Sequence, residues 1–236
     1  MIKAVFFDLD GTLLPFNEEE FVKTYFGLLF NYLKDYGYDK ENLFNALFGG
    51  TALMYKNNGE VTNEVVFWEN FKKIFGEEKI KDRTLFDRFY ETDFHQIKKI
   101  MEKQPLSRKI IDFCKENGII CVLSTNPFFP RVATVVRMEV VDLLPKDFDF
   151  ITTMENWGYC KPNPMYFHKL LEKFNLKPEE VILFGNNEVE DAICAETVGI
   201  KTYLIDSKYY LKSCKEEHAF NVIKIEEVID TIKNHL

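Results

Sequence analysis

The apolar positions along the chain change rhythm twice. Residues Ile2 to Phe7 form a short continuous run of β-branched and aromatic side chains that stops at Asp8, the pattern of a strand buried on both faces. From Glu18 to about Met101 the apolar residues recur at helical spacing, beginning with Phe21, Tyr25, Leu28, Leu29, Tyr32 and Leu33. Asn17 before three glutamates is a helix start, with acids favoured in the first turn. Gly37, Gly49-Gly50, Asn57-Asn58-Gly59 and Gly76 punctuate further helices, and no strand is predicted in this stretch.

From about Gln104 helix and strand alternate. The pattern predicts a helix over Leu106 to Asn117, a strand over Ile119 to Leu123 and a helix over roughly Pro130 to Leu143. A strand over Phe148 to Ile151 follows, then a helix ending at Asn175, a strand over Val181 to Phe184, a helix through Thr197, a strand from Lys201 to Ile205 and a terminal helix after Ile225. Alternation of this kind implies an α/β fold, a parallel sheet with helices on both faces. Residues 1–15 and 104–236 would form that layer structure, and residues 16–103 an all-helical domain inserted after the first strand. Its aromatic stripes read as its own core and its seam with the sheet domain.

Composition narrows the function classes. Of 236 residues, 46% are hydrophobic and 29% charged, with 23 Phe and 11 Tyr, so the chain can bury a large core. A net charge of −8 disfavours nucleic acid as a partner, because phosphate contacts need clustered Lys and Arg. No apolar stretch reaches transmembrane length, and the apolar N-terminal run is too short for a signal peptide. Cys114, Cys121, Cys160, Cys194 and Cys214 are scattered, with no zinc spacing, as reduced thiols of a cytoplasmic protein would be. Neither a P-loop nor a Gly-x-Gly-x-x-Gly follows any strand, which disfavours those nucleotide folds.

The candidate chemistry lies at strand ends. Asp8 and Asp10 alternate towards one side of the first strand's carboxyl end, and Gly11 lets the backbone turn away. In a parallel sheet that edge also collects Thr125, Asn126 and Asp191, with Lys161 arriving from a nearby loop. Two close acids repel each other and attract a hard cation such as Mg2+. A carboxylate is already ionised and can attack phosphorus, a second acid can exchange a proton, and a hydroxyl and an ammonium can hold phosphoryl oxygens. His95, His168, His218 and His235 show no pairing with a nucleophile.

Asp8-Leu9-Asp10-Gly11-Thr12 resembles the first motif of the haloacid dehalogenase superfamily, and three more motifs follow in order. Ser124-Thr125-Asn126 resembles the second, Lys161-Pro162 the third and Gly185 through Asp191 the fourth. The helical insertion is similar to the cap domain that closes over small substrates in one subgroup, on a Rossmann-like core. The resemblance implies a Mg2+-dependent phosphatase acting on a small phosphorylated metabolite. Asp8 would be the nucleophile and Asp10 the general acid/base. Thr125 and Lys161 would grip the phosphate, with Gly11, Thr12 and Asn126 completing its pocket. Metal ligation would fall to Asp8, Asp10, Asp191 and Asn187. The dehalogenases of the superfamily lack the second acid, so Asp10 favours phosphoryl transfer.

One feature departs from the family. The fourth motif usually offers two acids, and here the earlier position is an amide, Asn187 by spacing or Asn186 if the loop is one residue longer. A phosphomutase, or a non-catalytic module that binds a phosphorylated metabolite, would carry much the same motifs. A phosphonate-cleaving enzyme would need a cap lysine, for which Lys23, Lys34 and Lys56 qualify by type alone. The oligomeric state and the substrate itself are not encoded in these patterns.

Overall fold

The computed structural model describes residues 1–236. Its centre is a six-stranded sheet: β1 (Ala4–Phe7), β2 (Ile120–Leu123), β3 (Phe150–Ile151), β4 (Val181–Gly185), β5 (Lys201–Ile205) and β6 (Val222–Ile223). The spatial order is β3-β2-β1-β4-β5-β6, and every neighbouring pair is parallel. The most apolar strand, β1, takes the middle, where all four of its residues are fully buried. Its register sets Phe7 beside both Leu123 and Phe184, so the residues after β1, β2 and β4 emerge together at one edge.

Alternation along these strands divides the core. Val5, Phe7, Cys121, Leu123, Ile182 and Phe184 point to one face, covered by α5 (Pro105–Glu116) and α9 (Val228–Lys233). Ala4, Phe6, Val122 and Leu183 point to the other, covered by α7 (Met165–Phe174) and α8 (Cys194–Glu196). The expected α/β architecture with helices on both faces is therefore present.

Residues after β1 form α1 (Glu18–Leu33), α2 (Lys40–Tyr55), α3 (Asn63–Phe75) and α4 (Arg83–Glu91), with no strand among them. Asn17 caps α1 by accepting from the Glu20 N–H at 3.1 Å, as its position before the acidic turn predicts. The buried aromatics Phe21, Phe71, Phe86, Phe89 and Phe94 pack into one cluster with Leu29 and Leu33. That cluster also takes in Ala133 and Val136 of α6 (Arg131–Met138), which seats the helical insertion on the sheet domain. No helix is long and apolar enough to cross a membrane.

Several boundaries differ from the pattern-based expectation. The helix expected over Pro130 to Leu143 tightens into a 3-10 turn at Glu139–Val141 and ends at Asp142, which adopts φ 57°. The strand expected from Phe148 is confined to Phe150–Ile151, because Pro145–Asp147 forms a 3-10 turn immediately before it. A two-residue strand, β6, extends the sheet beyond β5. The segment after β4 is a π-helical turn over Glu188–Ile193 that runs into α8.

Candidate active site

The first site element is the turn that β1 feeds. Gly11 has φ +87°, and a Cβ there would lie 2.2 Å from the Asn186 amide nitrogen, so backbone conformation and close approach both require glycine. The turn closes through hydrogen bonds from the Gly11 N–H to the Leu14 carbonyl (2.7 Å) and from the Leu14 N–H to the Leu9 carbonyl (2.8 Å). Asp8 is thereby presented at the sheet edge, next to the chain ends of β2 and β4.

Lys161 is the hub. Its ammonium is 2% exposed and donates to Asp8 Oδ1 at 2.7 Å and to Asp191 Oδ1 at 2.6 Å. Burial works against the charged lysine, but Asp191 and Asp8 outweigh it and hold its pKa well above the usual range. Burial raises the Asp8 carboxyl to about 7; Lys161 opposes the rise and the nearby Asp191 adds to it. The other Asp191 oxygen accepts from the backbone N–H groups of Asn186 and Asn187, both at 3.0 Å. Gly185 is the residue that permits this fold-back, since a Cβ there would sit 2.5 Å from the Asp191 side chain.

Asp10 lines the same cavity. Its Oδ2 pairs with the guanidinium of Arg137, which is 2% exposed and lies against the Phe129 ring at 5.0 Å and the Phe21 ring at 5.7 Å. Its Oδ1 is buried without a hydrogen-bond partner. Burial raises the Asp10 carboxyl pKa, against the pull of Arg137 and Lys161.

The remaining expected residues divide by what they touch. Thr12 is buried, and its hydroxyl approaches Asp8 Oδ2 at 3.4 Å and Asn186 Oδ1 at 3.5 Å. Thr125 lines the cavity, its carbonyl pinned by the hydroxyls of Thr152 (2.6 Å) and Tyr166 (2.9 Å). Asn126 is spent on architecture: its Oδ1 accepts from the Lys161 N–H at 2.8 Å and its Nδ2 donates to Glu190 Oε2 at 2.9 Å. Of the two amides, Asn186 faces Thr12, with its Nδ2 donating to the Tyr209 carbonyl at 2.7 Å. Asn187 instead caps the π-helical turn, its Oδ1 accepting from the N–H groups of Val189 (3.0 Å) and Glu190 (3.1 Å) and from Ser213 (2.5 Å).

Three residues belong to the site without having been expected there. Arg137 carries a readable signal, a lone cation on the core-facing stripe Ala133, Val136, Val140 of its helix. Glu190 and Tyr55 carry none. They meet at 2.8 Å across the cavity mouth, joining α2 of the insertion to the residue before Asp191.

No group of three or more His, Cys, Asp or Glu side chains converges tightly enough to hold an ion alone. The oxygens of Asp8, Asp191 and the Asn186 amide nonetheless form an all-oxygen set beside one cavity. Magnesium is commonly held in that way, by one or two carboxylates with waters and substrate phosphate filling the rest of its shell. The donor set therefore fits a hard divalent cation. The cavity measures about 1080 Å³ and runs from Asp8 and Lys161 up to the inner faces of α1, α2 and α3.

Comparison with known proteins identifies the family. The sequence profile of the haloacid dehalogenase-like hydrolases matches residues 2–199. The chain is 29% identical over 137 residues to the haloacid dehalogenase-like hydrolase domain-containing protein 3 of Xenopus laevis, a match covering 56% of this chain and 54% of that protein. It is 26% identical over 242 residues to the phosphorylated carbohydrates phosphatase of Thermotoga maritima, covering 100% of both chains. Among solved structures, the 2-haloacid dehalogenase of Pseudomonas syringae pv. Tomato superimposes with a TM-score of 0.66 at 16% identity, over 100% of both chains. The chain belongs to the haloacid dehalogenase-like hydrolases.

Proposed function

We propose that this hydrolase is a Mg2+-dependent phosphatase of small phosphorylated molecules, working through an aspartyl-phosphate on Asp8. Residues 1–15 and 104–236 act as the catalytic core, and residues 16–103 as the cap over it. The observation that carries the reading is Lys161 bridging Asp8 and Asp191 at the carboxyl edge of the sheet, at 2.7 and 2.6 Å. The full-length similarity to a phosphatase of phosphorylated carbohydrates supports phosphate-ester hydrolysis as the reaction.

In the first half-reaction an Asp8 oxygen forms a bond to phosphorus and the ester P–O bond breaks. The departing alkoxide takes a proton from Asp10. In the second half-reaction water gives a proton back to Asp10 and attacks the phosphoryl group, and Asp8 leaves as a carboxylate. Asp8, Asp191 and the Asn186 amide oxygen would hold Mg2+, which when bound would supply positive charge against the repulsion between Asp8 and the phosphate. Lys161 and Thr125 hold the non-reacting phosphoryl oxygens. Arg137 fixes one oxygen of Asp10 and leaves Oδ1 to carry the proton, which the raised pKa of that carboxyl favours.

Phosphate release from a panel of phosphomonoesters tests this, with Mg2+ or EDTA, for the wild type and Asp8→Asn. Release that requires the metal and drops by about 10⁴-fold or more in Asp8→Asn is the expected result. Release that survives Asp8→Asn, or no release from any ester at saturating Mg2+, would overturn it.

A further inference from the structure

The shape and charge of the cavity above Asp8 concern the half of the substrate that leaves. We infer that the leaving alcohol is bulky and apolar, of aromatic size, and that esters with a second anionic group are excluded. The inference rests on the phosphatase reading and adds the substrate class to it.

Size comes first. A cavity of about 1080 Å³ is at the upper end of ligand pockets, which run from about 300 to 1,000 Å³. A two- or three-carbon phosphate would leave most of it to water.

Charge removes a second anion. The lining contains four cations, and each is already on a carboxylate. Lys161 is held by Asp8 and Asp191, Arg137 by Asp10, Arg83 by Glu64, and Lys208 by Glu102. Asp87, Glu155 and Glu190 line the same space without a cation partner. One phosphate can be neutralised at the core end by Lys161 and the metal. A carboxylate or second phosphate reaching towards the cap meets only carboxylates and paired bases.

The α1–α3 side of the cavity carries an apolar patch among Glu18, Glu19, Glu20, Thr51, Tyr55 and Glu64. Phe26 of α1, Leu47, Phe48 and Met54 of α2, and Phe67 and Trp68 of α3 supply it. Phe48, which also stacks on Phe44 at 4.1 Å in a neighbouring outer groove, contributes one aromatic surface to this patch. A ring on the substrate would bury that surface in offset or edge-to-face contact.

The test compares kcat/KM for benzyl phosphate, 2-phosphoglycolate, O-phosphoethanolamine and glucose 6-phosphate with Mg2+. All four have alkyl leaving groups, so recognition dominates the differences. Benzyl phosphate is expected to exceed each of the others at least about tenfold. Two variants on the half-exposed face of α2 sharpen the result. Phe48→Ser should lower the benzyl phosphate value about five- to tenfold while changing glucose 6-phosphate less than about twofold. Thr51→Lys, which places an unpaired cation in the wall, should raise 2-phosphoglycolate about tenfold. Equal or faster turnover of any of the other three esters by the wild type overturns this inference and leaves the phosphatase reading intact. Release from none of the four at saturating metal overturns both.

Discussion

The two walls of the cavity are built on different physics. At the sheet edge, Asp8, Lys161 and Asp191 are almost wholly buried and interlocked at 2.6–2.7 Å, and backbone N–H groups hold the far oxygen of Asp191. Strand register fixes where these groups emerge, and charge fixes how they face one another. The opposing wall is a set of aromatic and aliphatic side chains on three helices, whose positions depend on how those helices pack. The first wall is a preorganised charge arrangement suited to a transition state. The second is a surface whose shape selects what may approach. On the proposed function, reaction type and substrate choice would reside in separable parts of the chain.

The largest effect that sharpens this contrast is expected from Lys161→Met. Removing the ammonium leaves two carboxylates facing each other out of water, and breaking a buried charge arrangement of this kind costs about 3–5 kcal/mol. Turnover should be lost together with a marked fall in Tm. Phosphate release and thermal unfolding measured on the same sample check it. A variant with wild-type Tm would mean that the lysine contributes to chemistry but not to holding the edge together.

In the helical core behind the other wall, Phe71→Ala should be as costly for the fold and far milder for the chemistry. Phe71 is fully buried, with ring centroids of Phe75, Trp68, Phe86 and Tyr38 between 4.7 and 5.9 Å away. Truncating such a residue costs about 3–5 kcal/mol through lost contacts and the cavity left behind. Denaturant unfolding should show that loss, while kcat for glucose 6-phosphate, measured well below the new melting transition, stays within about threefold of wild type because no group at the sheet edge moves. A kcat loss as deep as that of Lys161→Met would break the separation of the two walls.

The same contrast explains what was legible in the sequence. Asp8, Asp10, Thr125 and Asp191 could be placed together because strand ends in a parallel sheet share one edge, with Lys161 reaching it from a loop; Thr12 entered only through the resemblance of the first motif. The helical insertion could be read as helical from its apolar spacing, but which aromatic faces the cavity depends on rotation about each helix axis. The choice between Asn186 and Asn187 was open for a related reason. The π-helical turn at Glu188–Ile193 shifts the register by a residue, turning Asn187 into a cap and leaving Asn186 beside Thr12. Nothing in local propensity announces such a turn. Asn126 shows the converse limit: its position was placed correctly, yet its side chain serves the Lys161 backbone and Glu190.

The smallest effect is expected where the walls touch. Tyr55 reaches from α2 to Glu190 at 2.8 Å, Glu190 holds Asn126 at 2.9 Å, and Asn126 accepts from the Lys161 N–H at 2.8 Å. Tyr55→Phe keeps the ring against Phe128, whose centroid is 4.7 Å away, and deletes only the hydroxyl. A hydrogen bond of this kind contributes about 0.5–1.5 kcal/mol, and Tyr55 is 40% exposed, which places it towards the lower end. If the contact serves only to seat the cap over the substrate, KM should rise about two- to fivefold with kcat nearly unchanged, since substrate and transition state lose the same interaction. If it also holds Asn126, and through it Lys161, kcat should fall while KM stays put. Steady-state kinetics on this one variant separates the two. The first outcome is expected, because Lys161 is anchored by two carboxylates that the loss of Tyr55 does not reach.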